Sequence, residues 1–476
     1  MVNILMVASE GYPFAKSGGL GDVIGSLPKA LTKEGVDVRV VLPEYRSIPE
    51  ELKREMTFLT SFDVMMGWRR QYCGVKTCRW DGVQYYFIDN RYYFDRDGLY
   101  GHYDEAERFA FYSRAVLEML TRIDWKPEVL HCHDWQSSLV PVYLRQVYGK
   151  RLEYRNLRTI LTIHNLKYQG IFDGSILGDI LGLGSHLYTP EKLEFYGCVN
   201  FLKGGIVFAD KVTTVSRSYA EEIKTLHYGE NLSGVLHRKG DVAGIVNGVD
   251  YDFYNPMKDE AIFLNFKDEP EKKWRNKTPL QEALNLPVRA DVPVLAIVSR
   301  LVAQKGLDLV ARILPELMEE DMQLVVMGTG ESKFEDLFRH YAWKHPDKVS
   351  ANMYFNESIA HQIYAGADML LMPSEFEPCG LSQMIGMRYG TVPIVRETGG
   401  LKDTIQPYNE FTGEGYGFTF THYNAHDMLF TIRRALTFYR DRDLWRGLVK
   451  KVMQVDFSWK RAAREYRDLY WELLQD

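Results

Sequence analysis

The stretch KSGGLGDV, from Lys16 to Val23, follows the first apolar run at residues 3–9 and opens a helix that we predict from Asp22 to Glu34. Glycines let the main chain approach an anion closely, and the amides that begin a helix point outward without partners. Lys16 adds a full positive charge to the same turn. A strand, this turn, a helix ended by Gly35 and a second apolar run form a β-α-β opening. The stretch therefore predicts a parallel sheet and a site for a phosphorylated ligand.

The alternation of short apolar runs and helical stretches continues along the whole chain. Runs at this spacing are typical of parallel sheets. Because 476 residues are too many for one ordinary core, we expect an α/β protein of two Rossmann-like, doubly wound lobes. The turn-prone sequence from Asn247 to Asp250 marks the boundary between the lobes. The predicted strands are residues 3–9, 36–42, 128–132, 159–164 and 211–215 in the first lobe and 293–299, 323–327, 369–373 and 391–396 in the second.

Composition restricts the partners of the chain more than its fold. The net charge of −6 provides no basic surplus for a polyanion, which argues against nucleic acid as a partner. Five scattered cysteines indicate reduced thiols, and residues 3–8 lack the basic flank and the cleavage pattern of a signal peptide. No apolar run is long enough to span a membrane. We therefore expect a cytoplasmic protein without a membrane partner.

The second lobe has anion-binding groups of its own. Arg300 follows a predicted strand, and Lys305 with Gly306 then opens a helix, so that two cations and free amides face one anion. Two ordinary surface cations are the alternative interpretation. Later strands are followed by EPCGL, from Glu377 to Leu381, and by TGGL, from Thr398 to Leu401. The two halves thus carry similar signals for one phosphorylated ligand.

Taken together, these motifs resemble those of bacterial glycogen synthases and plant starch synthases. A single glycine-rich turn would be a weak signal, but the motifs occur in the family's order and span nearly the whole chain. The matching segments are Lys16 to Val23, His133 to Trp135, Thr162 to Asn165, Asn247 to Asp250, Ser299 to Leu301 with Gln304 to Gly306, and Glu377 to Leu381.

The resemblance implies a GT-B fold, in which two Rossmann-like domains face each other across a deep cleft. Residues 1–246 with 457–476 would form the N-terminal, acceptor-side domain, since the last helix of the family crosses back. Residues 247–456 would form the C-terminal domain that binds the nucleotide sugar. The implied reaction is the retaining transfer of glucose from ADP-glucose to the 4-OH that ends an α-1,4-glucan, with no cofactor.

The resemblance also implies a role for each motif residue. The cations would bind the diphosphate, where negative charge builds on the leaving oxygen. His164 would donate to a glucose hydroxyl, and Glu377 would bind glucose hydroxyls and support positive charge at the anomeric carbon. A carboxylate nucleophile, as in retaining glycosidases, is the alternative role for Glu377. The implied catalytic residues are Lys16, His164, Arg300, Lys305 and Glu377, and the implied donor-binding residues are Gly18, Gly19, Asp22, Asn247, Phe355, Cys379, Gly380, Leu381, Gly399 and Gly400.

Contacts to the ribose and the base follow less directly from the motifs. Related retaining transferases often carry a second glutamate at the position that Ile385 occupies in this chain. We therefore expect Asp22 or main-chain groups to contact the ribose. Either Tyr354 or Phe355 would stack on the base. Because the motif residues hold phosphates rather than adenine, UDP-glucose stays open as an alternative donor.

Histidines and an aspartate cluster closely enough in the first lobe to suggest a metal site. His131, His133 and Asp134 are the residues concerned. Successive strand positions alternate faces and no further ligand pair lies nearby, so we expect no metal there. Asp134 and Trp135 suit the acceptor better, with the carboxylate near the incoming hydroxyl and the indole stacked on a glucan ring. A histidine at a strand end, such as His164, is equally often a hydrogen-bonded structural residue.

Three other classes of protein are the alternatives. A glucan phosphorylase shares the architecture but needs pyridoxal phosphate on a lysine, which would absorb light. A Rossmann oxidoreductase fits poorly, because the loop read from Gly18 lacks the Gly-x-Gly-x-x-Gly spacing. A non-catalytic glucan-binding protein would explain the aromatic residues but not the phosphate-binding loops in both halves. The sequence leaves the oligomeric state open.

Overall fold

The computed structural model describes residues 2–475, which form two compact units. Unit 1 comprises Met1–Gly248 and Trp459–Asp476, and unit 2 comprises Val249–Ser458. The chain passes between the units at 248/249 and 458/459, two residues after each of the predicted crossings at 246/247 and 456/457. Among residues 2–475, no helix combines the length and the apolar character needed to cross a bilayer.

Unit 1 is built on a large mixed sheet. Its strands are β1 (Asn3–Val7), β2 (Asp37–Pro43), β3 (Thr57–Met66), β4 (Arg69–Trp80), β5 (Val83–Asp89), β6 (Val129–His133), β7 (Arg158–Ile163), β8 (Ile171–Asp173), β9 (Glu194–Phe195), β10 (Cys198–Asn200), β11 (Lys211–Thr214) and β12 (Val242–Gly244). The main sheet runs in the order β12-β11-β7-β6-β1-β2-β5-β4-β3.

The pairing within this sheet changes from parallel to antiparallel at one edge. From β12 to β5 the neighbours are parallel, and β4 pairs antiparallel with β5 and with β3. A separate antiparallel sheet has the order β8-β10-β9. The strands predicted from the sequence are β1, β2, β6, β7 and β11, whereas β3, β4, β5 and β12 of this sheet were not predicted. Most side chains of β3 are exposed, so this edge strand lacks the continuous apolar run that reveals a central parallel strand.

The helices of unit 1 pack on the faces of the main sheet. The first of them shows why the chain folds in this way: it places Val23, Leu27 and Leu31 on one buried face and ends before Gly35, whose φ of 83° is the left-handed conformation that stops a helix. These helices are α1 (Gly19–Lys33), α2 (Glu50–Arg54), α3 (Arg91–Phe94), α4 (Glu105–Met119), α5 (Asp134–Ser137), α6 (Leu139–Tyr143), α7 (Ile176–Asp179), α8 (Phe201–Phe208), α9 (Arg217–Glu222) and α10 (Ser233–Lys239).

Unit 2 contains a fully parallel sheet in the order β15-β14-β13-β16-β17-β18. Its strands are β13 (Val294–Val298), β14 (Gln323–Met327), β15 (Val349–Asn352), β16 (Met369–Met372), β17 (Val392–Arg396) and β18 (Phe418–Phe420). Its helices are α11 (Pro270–Trp274), α12 (Lys277–Ala283), α13 (Leu307–Leu317), α14 (Ser332–Lys344), α15 (Glu357–Gly366), α16 (Ser382–Arg388), α17 (Gly399–Thr404), α18 (Ala425–Arg440) and α19 (Arg442–Gln454).

The last helix, α20 (Trp459–Gln475), belongs to unit 1 and packs against α1. Its apolar face is buried, and Tyr470 reaches the sheet, where its hydroxyl lies 2.7 Å from Nδ1 of His131. On the outer side, Arg467 pairs with Glu34 near the end of α1, at 3.1 Å. The last helix thus docks on the first unit, as the resemblance implied.

Each main sheet has a topological switch point, where the chain leaves a strand to one side and later returns to its other side. In unit 1 this point lies between β1 and β6, and in unit 2 it lies between β13 and β16. Ligands of open α/β sheets bind outside the carboxyl ends of the strands at such points. The loops that follow these strands are therefore the places to look for a site in each unit.

Candidate active site

The glycine-rich turn of unit 1 joins β1 to α1 at the switch point. Gly18 is the extended residue before the helix, with φ −156° and ψ −164°. A side chain at Gly21 would meet Lys16, because a Cβ there would lie 2.8 Å from Cγ of the lysine. Glycine at this position thus lets Lys16 fold across the first helical turn, where its Nζ lies 2.7 Å from Oδ1 of Asp22. The turn therefore brings a cation and a carboxylate together, both about one-third exposed.

The amides of this turn have a partner that the sequence analysis did not name. The main-chain N–H of Ser17 and that of Gly18 both donate to Oε2 of Glu10, and the Ser17 hydroxyl donates to Oε1 at 3.2 Å. Glu10 is buried, which raises the pKa of its carboxyl, although the hydrogen bonds from Ser17 act in the opposite direction. The expectation that these amides are open is therefore wrong for Ser17 and Gly18. Glu10 directly follows the first apolar run of the sequence, but its residue type does not reveal that it binds these amides.

Asp134 lies directly after β6 in a backbone conformation that few residues adopt. Its φ of 57° is left-handed, which aspartate tolerates better than most side chains. Its Oδ1 accepts a hydrogen bond from the main-chain N–H of His164 at 2.7 Å. Burial raises the pKa of Asp134 to about 7, and the hydrogen bond from His164 opposes that rise. Asp134 thus holds the end of β7 in place, and its contact with the acceptor stays a prediction.

Trp135 does not offer the free ring face that stacking on a glucan requires. The side chain is 9% exposed and lies among the rings of Phe109, Phe172 and Phe201, with centroid distances of 5.1, 5.8 and 6.2 Å. Main chain covers it as well, because a Cβ at Gly170 would lie 2.4 Å from the indole. The predicted stacking role is wrong for this residue, because the apolar indole is more stable in the core of unit 1 than in water.

Three histidines, His131, His133 and His164, form what we term the imidazole cluster at the carboxyl ends of β6 and β7. His131 and His133 stack at 4.2 Å between ring centroids, and Nδ1 of His133 lies 3.0 Å from Nε2 of His164. His131 and His133 are two positions apart on β6 and therefore lie on the same face of the sheet. The alternation of side chains along a strand thus does not separate them and does not argue against a metal site. Within residues 2–475, no three His, Cys, Asp or Glu side chains are grouped to hold a metal ion.

Burial keeps the imidazole cluster neutral. It lowers the pKa of His131 and of His164 to about 3, and His164 also acts on His131. The pKa of His133 lies well below its usual range, through burial first and then through the neighbouring imidazoles. His131 is fixed further by hydroxyl groups, because its Nε2 lies 2.6 Å from Oγ1 of Thr162 and its Nδ1 contacts Tyr470. The cluster can therefore donate and accept hydrogen bonds but carries no charge near neutral pH.

In unit 2, the loops after β13 and β16 place a lysine against a glutamate. Nζ of Lys305 lies 2.6 Å from Oε2 of Glu377, and their side chains are 16% and 8% exposed. The hydroxyl of Ser374 donates to the same oxygen at 3.0 Å. Among residues 2–475 the hydrogen bonds to this carboxylate both end on Oε2. The second oxygen, Oε1, is thus available to a ligand.

Close packing of main chain explains two glycines around this pair. A Cβ at Gly399 would lie 2.0 Å from the carbonyl oxygen of Glu377, and the φ of 44° at Gly399 also disfavours a side chain. The next residue, Gly400, donates its N–H to the same carbonyl at 3.0 Å. At Gly306, with φ 71°, a Cβ would lie 2.0 Å from the carbonyl oxygen of Pro373. These contacts lock the loops after β13, β16 and β17 together.

The other predicted donor residues lie in different environments. Arg300 is exposed just after β13, and Phe355 follows β15 with 65% of its side chain exposed. Asn247 is buried in unit 1, and within the described residues its Oδ1 has no hydrogen-bond partner. Cys379, which is buried, and the partly buried Gly380 and Leu381 form the loop before α16, and Ile385 is a core residue of that helix.

Two known sequence families match separate parts of the chain. The starch synthase catalytic domain matches residues 3–238, and the glycosyl transferases group 1 match residues 284–446. The chain is 54% identical over 475 residues to the glycogen synthase of Desulforamulus reducens, covering 99% of both chains. It is 54% identical over 476 residues to that of Geobacillus stearothermophilus, covering 100% of this chain and 98% of the relative.

Solved structures resemble the chain over its full length. The catalytic domain of starch synthase IV from Arabidopsis thaliana, bound to ADP and acarbose, matches with a TM-score of 0.93 and 33% identity over 100% of both chains. The sucrose-phosphate synthase of Thermosynechococcus elongatus matches with a TM-score of 0.63 and 17% identity, also over 100% of both chains. At that lower identity the likeness concerns the fold alone.

Proposed function

Because the chain belongs to the glycogen synthase and starch synthase family, we propose that it transfers glucose from ADP-glucose to the non-reducing 4-OH end of an α-1,4-glucan. The family makes the chain a glycosyltransferase, and its α/β units with parallel sheets are those of the GT-B fold. The transfer retains the configuration at the anomeric carbon. The donor and the growing polymer are its partners, and the reaction needs no cofactor.

For unit 2 we propose that the loops at the switch point bind the activated end of the donor. Lys305 and the exposed Arg300 provide positive charge for the diphosphate, and this charge counts most when the leaving oxygen becomes negative. Glu377 keeps Oε2 on Lys305 and Ser374, so that Oε1 accepts a hydrogen bond from a glucose hydroxyl. A carboxylate held in this way also stabilises positive charge at the anomeric carbon.

For unit 1 we propose that Lys16 neutralises phosphate and that His164 binds the glucose. Lys16 is partly exposed and has only Asp22 as an ion-pair partner in the described part of the chain. His164 is neutral because burial lowers its pKa, which suits a hydrogen bond to an uncharged hydroxyl. Gly19, at the start of α1, and Asp22 are the residues that we assign to the donor in this unit.

The remaining donor contacts are also proposals. We assign the base to Phe355, which is exposed after β15, and we assign main-chain contacts around phosphate and sugar to the loops of α16 and α17. We keep Asn247 as a donor-binding residue, because its buried side-chain oxygen, Oδ1, has no hydrogen-bond partner within residues 2–475. The free thiols of the described chain agree with the proposed cytoplasmic location.

The observation that carries the proposal is the pairing of Lys305 with Glu377 at the switch point of unit 2, in a chain that matches glycogen synthases from end to end. The test is to incubate the purified protein with glycogen and either ADP-glucose or UDP-glucose, and to measure the nucleotide released and the glucose added. We expect ADP release with growth of α-1,4-linked chains. Failure of both donors would overturn the proposal, and faster release of UDP would assign the alternative donor.

A phosphorylase-like enzyme is distinguished in the same preparation. It would show the absorbance of pyridoxal phosphate and would form glucose 1-phosphate from glycogen and phosphate. We expect neither result.

A further inference from the structure

One buried histidine next to the proposed glucose-binding residue has no role so far. His133 is completely buried, and its Nδ1 lies 3.0 Å from Nε2 of His164. The other nitrogen of His133, Nε2, has no hydrogen-bond partner within residues 2–475. His131, which stacks on His133, cannot supply one, because both of its nitrogens contact hydroxyl groups.

Each neutral ring carries a single N–H. At 3.0 Å two facing lone pairs or two facing N–H groups would repel, so one of the two rings donates a hydrogen to the contact and the other accepts it. If His164 donates, the proton of His133 lies on its buried Nε2 as a donor without an acceptor. If His133 donates, its Nε2 is a bare lone pair. Buried N–H groups without a partner are rarer than buried acceptors without one, so the second arrangement is the more stable.

We propose that His133 is a positioning residue: it donates from Nδ1 to Nε2 of His164 and thereby holds His164 in the tautomer with its proton on Nδ1. His164 then presents a hydrogen-bond donor, not an acceptor, to a hydroxyl oxygen of the donor glucose. This inference rests on the proposed function only for the identity of the ligand. The tautomer itself is a property of unit 1.

The surroundings of His164 support this arrangement. Its main-chain N–H is held by Asp134 at 2.7 Å, so the backbone before the ring is fixed from the opposite side. His164 is only partly buried, whereas His133 is completely buried. With Nε2 engaged by His133, Nδ1 is the nitrogen of His164 that remains for a ligand. Burial also lowers the pKa of both rings, which keeps one proton on each.

The test reads the tautomer in the protein without substrate. The protein is labelled with ¹⁵N in its histidine rings, and long-range ¹H–¹⁵N spectra distinguish a protonated Nδ1 from a protonated Nε2. The signals of the two residues are assigned with the variants His133→Phe and His164→Gln. We expect His164 of the wild-type protein to carry its proton on Nδ1. Should either variant fail to fold, through-bond correlations from the ring to the backbone of the wild-type protein assign the same signals. A proton on Nε2 of His164 overturns the inference.

The variants then test the consequence for the reaction. In His133→Phe, we expect His164 to lose its preference for Nδ1–H and kcat/KM for the sugar nucleotide to fall about 3- to 10-fold, the loss of one neutral hydrogen bond. His133→Asn supplies an amide donor and should recover part of the loss. His237→Phe, on the exposed side of α10, is the matched control and should change neither quantity.

The outcomes separate this inference from the proposed function. An active wild-type enzyme whose His164 is protonated on Nε2 overturns the inference alone. A wild-type protein that transfers no glucose but has His164 protonated on Nδ1 overturns the proposed function alone. Loss of activity in His133→Phe with an unchanged tautomer of His164 shows a merely structural role for His133 and also overturns the inference.

Discussion

Replacing Lys305 by methionine tests the electrostatic core of unit 2. The change keeps a long apolar side chain but removes a positive charge that lies 2.6 Å from Glu377 and is 16% exposed. A hydrogen bond to a charged group contributes about 1.5 to 3 kcal/mol, so we expect kcat/KM for the sugar nucleotide to fall roughly 10- to 150-fold. The nucleotide-release assay with glycogen measures this loss.

The same substitution should lower stability, because it leaves the Glu377 carboxylate with Ser374 as its remaining side-chain donor. We expect the free energy of unfolding of unit 2 to fall by about 1 to 3 kcal/mol. Part of this loss should return when Glu377→Gln is added to Lys305→Met, since no unpaired charge is then buried. Denaturant unfolding of the single and double variants measures that coupling.

The matched control is Lys272→Met, which removes an exposed ion pair of the same unit. Lys272 lies 3.0 Å from Glu269, with side chains 50% and 46% exposed, so its loss should cost under about 1 kcal/mol and leave activity unchanged. Wild-type kcat/KM in Lys305→Met would refute the assignment of Lys305 to the diphosphate. Equal stability losses in the two methionine variants would refute the argument from burial.

Three further predictions concern packing and pH. Gly399→Ala should abolish most activity and should lower the free energy of unfolding by at least about 2 kcal/mol more than Gly413→Ala does. Both glycines have a positive φ, but only the Cβ added at Gly399 would collide with a carbonyl oxygen, that of Glu377. Equal losses of stability in the two variants would contradict this prediction. Tyr470→Phe removes the hydroxyl 2.7 Å from the imidazole cluster and should destabilise unit 1 by about 1 to 3 kcal/mol in denaturant unfolding, with no change in the stability of unit 2. Stability of unit 1 should fall as the pH drops below about 6.5, by about 1.4 kcal/mol per pH unit for each of His131 and His164. The reason is that the unfolded chain binds protons at these residues, whereas burial lowers their pKa in the folded unit to about 3. Asp134, whose pKa is raised to about 7, opposes this loss of stability because its carboxyl binds a proton in the folded state at a higher pH than in the unfolded chain. The measurement is a series of calorimetric scans. An unfolding temperature of unit 1 that does not fall between about pH 6.5 and pH 5 would contradict the prediction.

Local sequence patterns predicted the parallel core well, and they did so for a physical reason. A buried parallel strand must be apolar on both faces, and a helix that covers it must be apolar on one, so both leave a signal within a few residues. The strands β1, β6, β7, β13, β14, β16 and β17 are of this kind. The edge strand β3 escaped prediction because solvent contacts most of its side chains.

The candidate site was predictable in part. Lys305 and Glu377 were named from motifs that lie 72 residues apart, but their contact depends on β13 and β16 being neighbours in the sheet. Glu10 was missed because its role consists of bonds to amides of the next turn, which no residue type reveals. Trp135 was misassigned because an aromatic residue beside a motif has the same sequence signal whether its ring is packed or exposed.

By itself, the amino-acid sequence determined the alternation of strands and helices, the glycine turn that begins α1, and the motifs shared with glycogen and starch synthases, since each of these is written in short stretches of chain. Only the tertiary structure decided which charged groups meet, which amides are already bonded, and that His133 faces His164. The contacts of Lys305 with Glu377 and of His133 with His164 join residues that follow or end different strands, and they exist only after the order of the strands has brought these strand ends together. The bonded amides depend on how the chain between β1 and α1 folds back on Glu10.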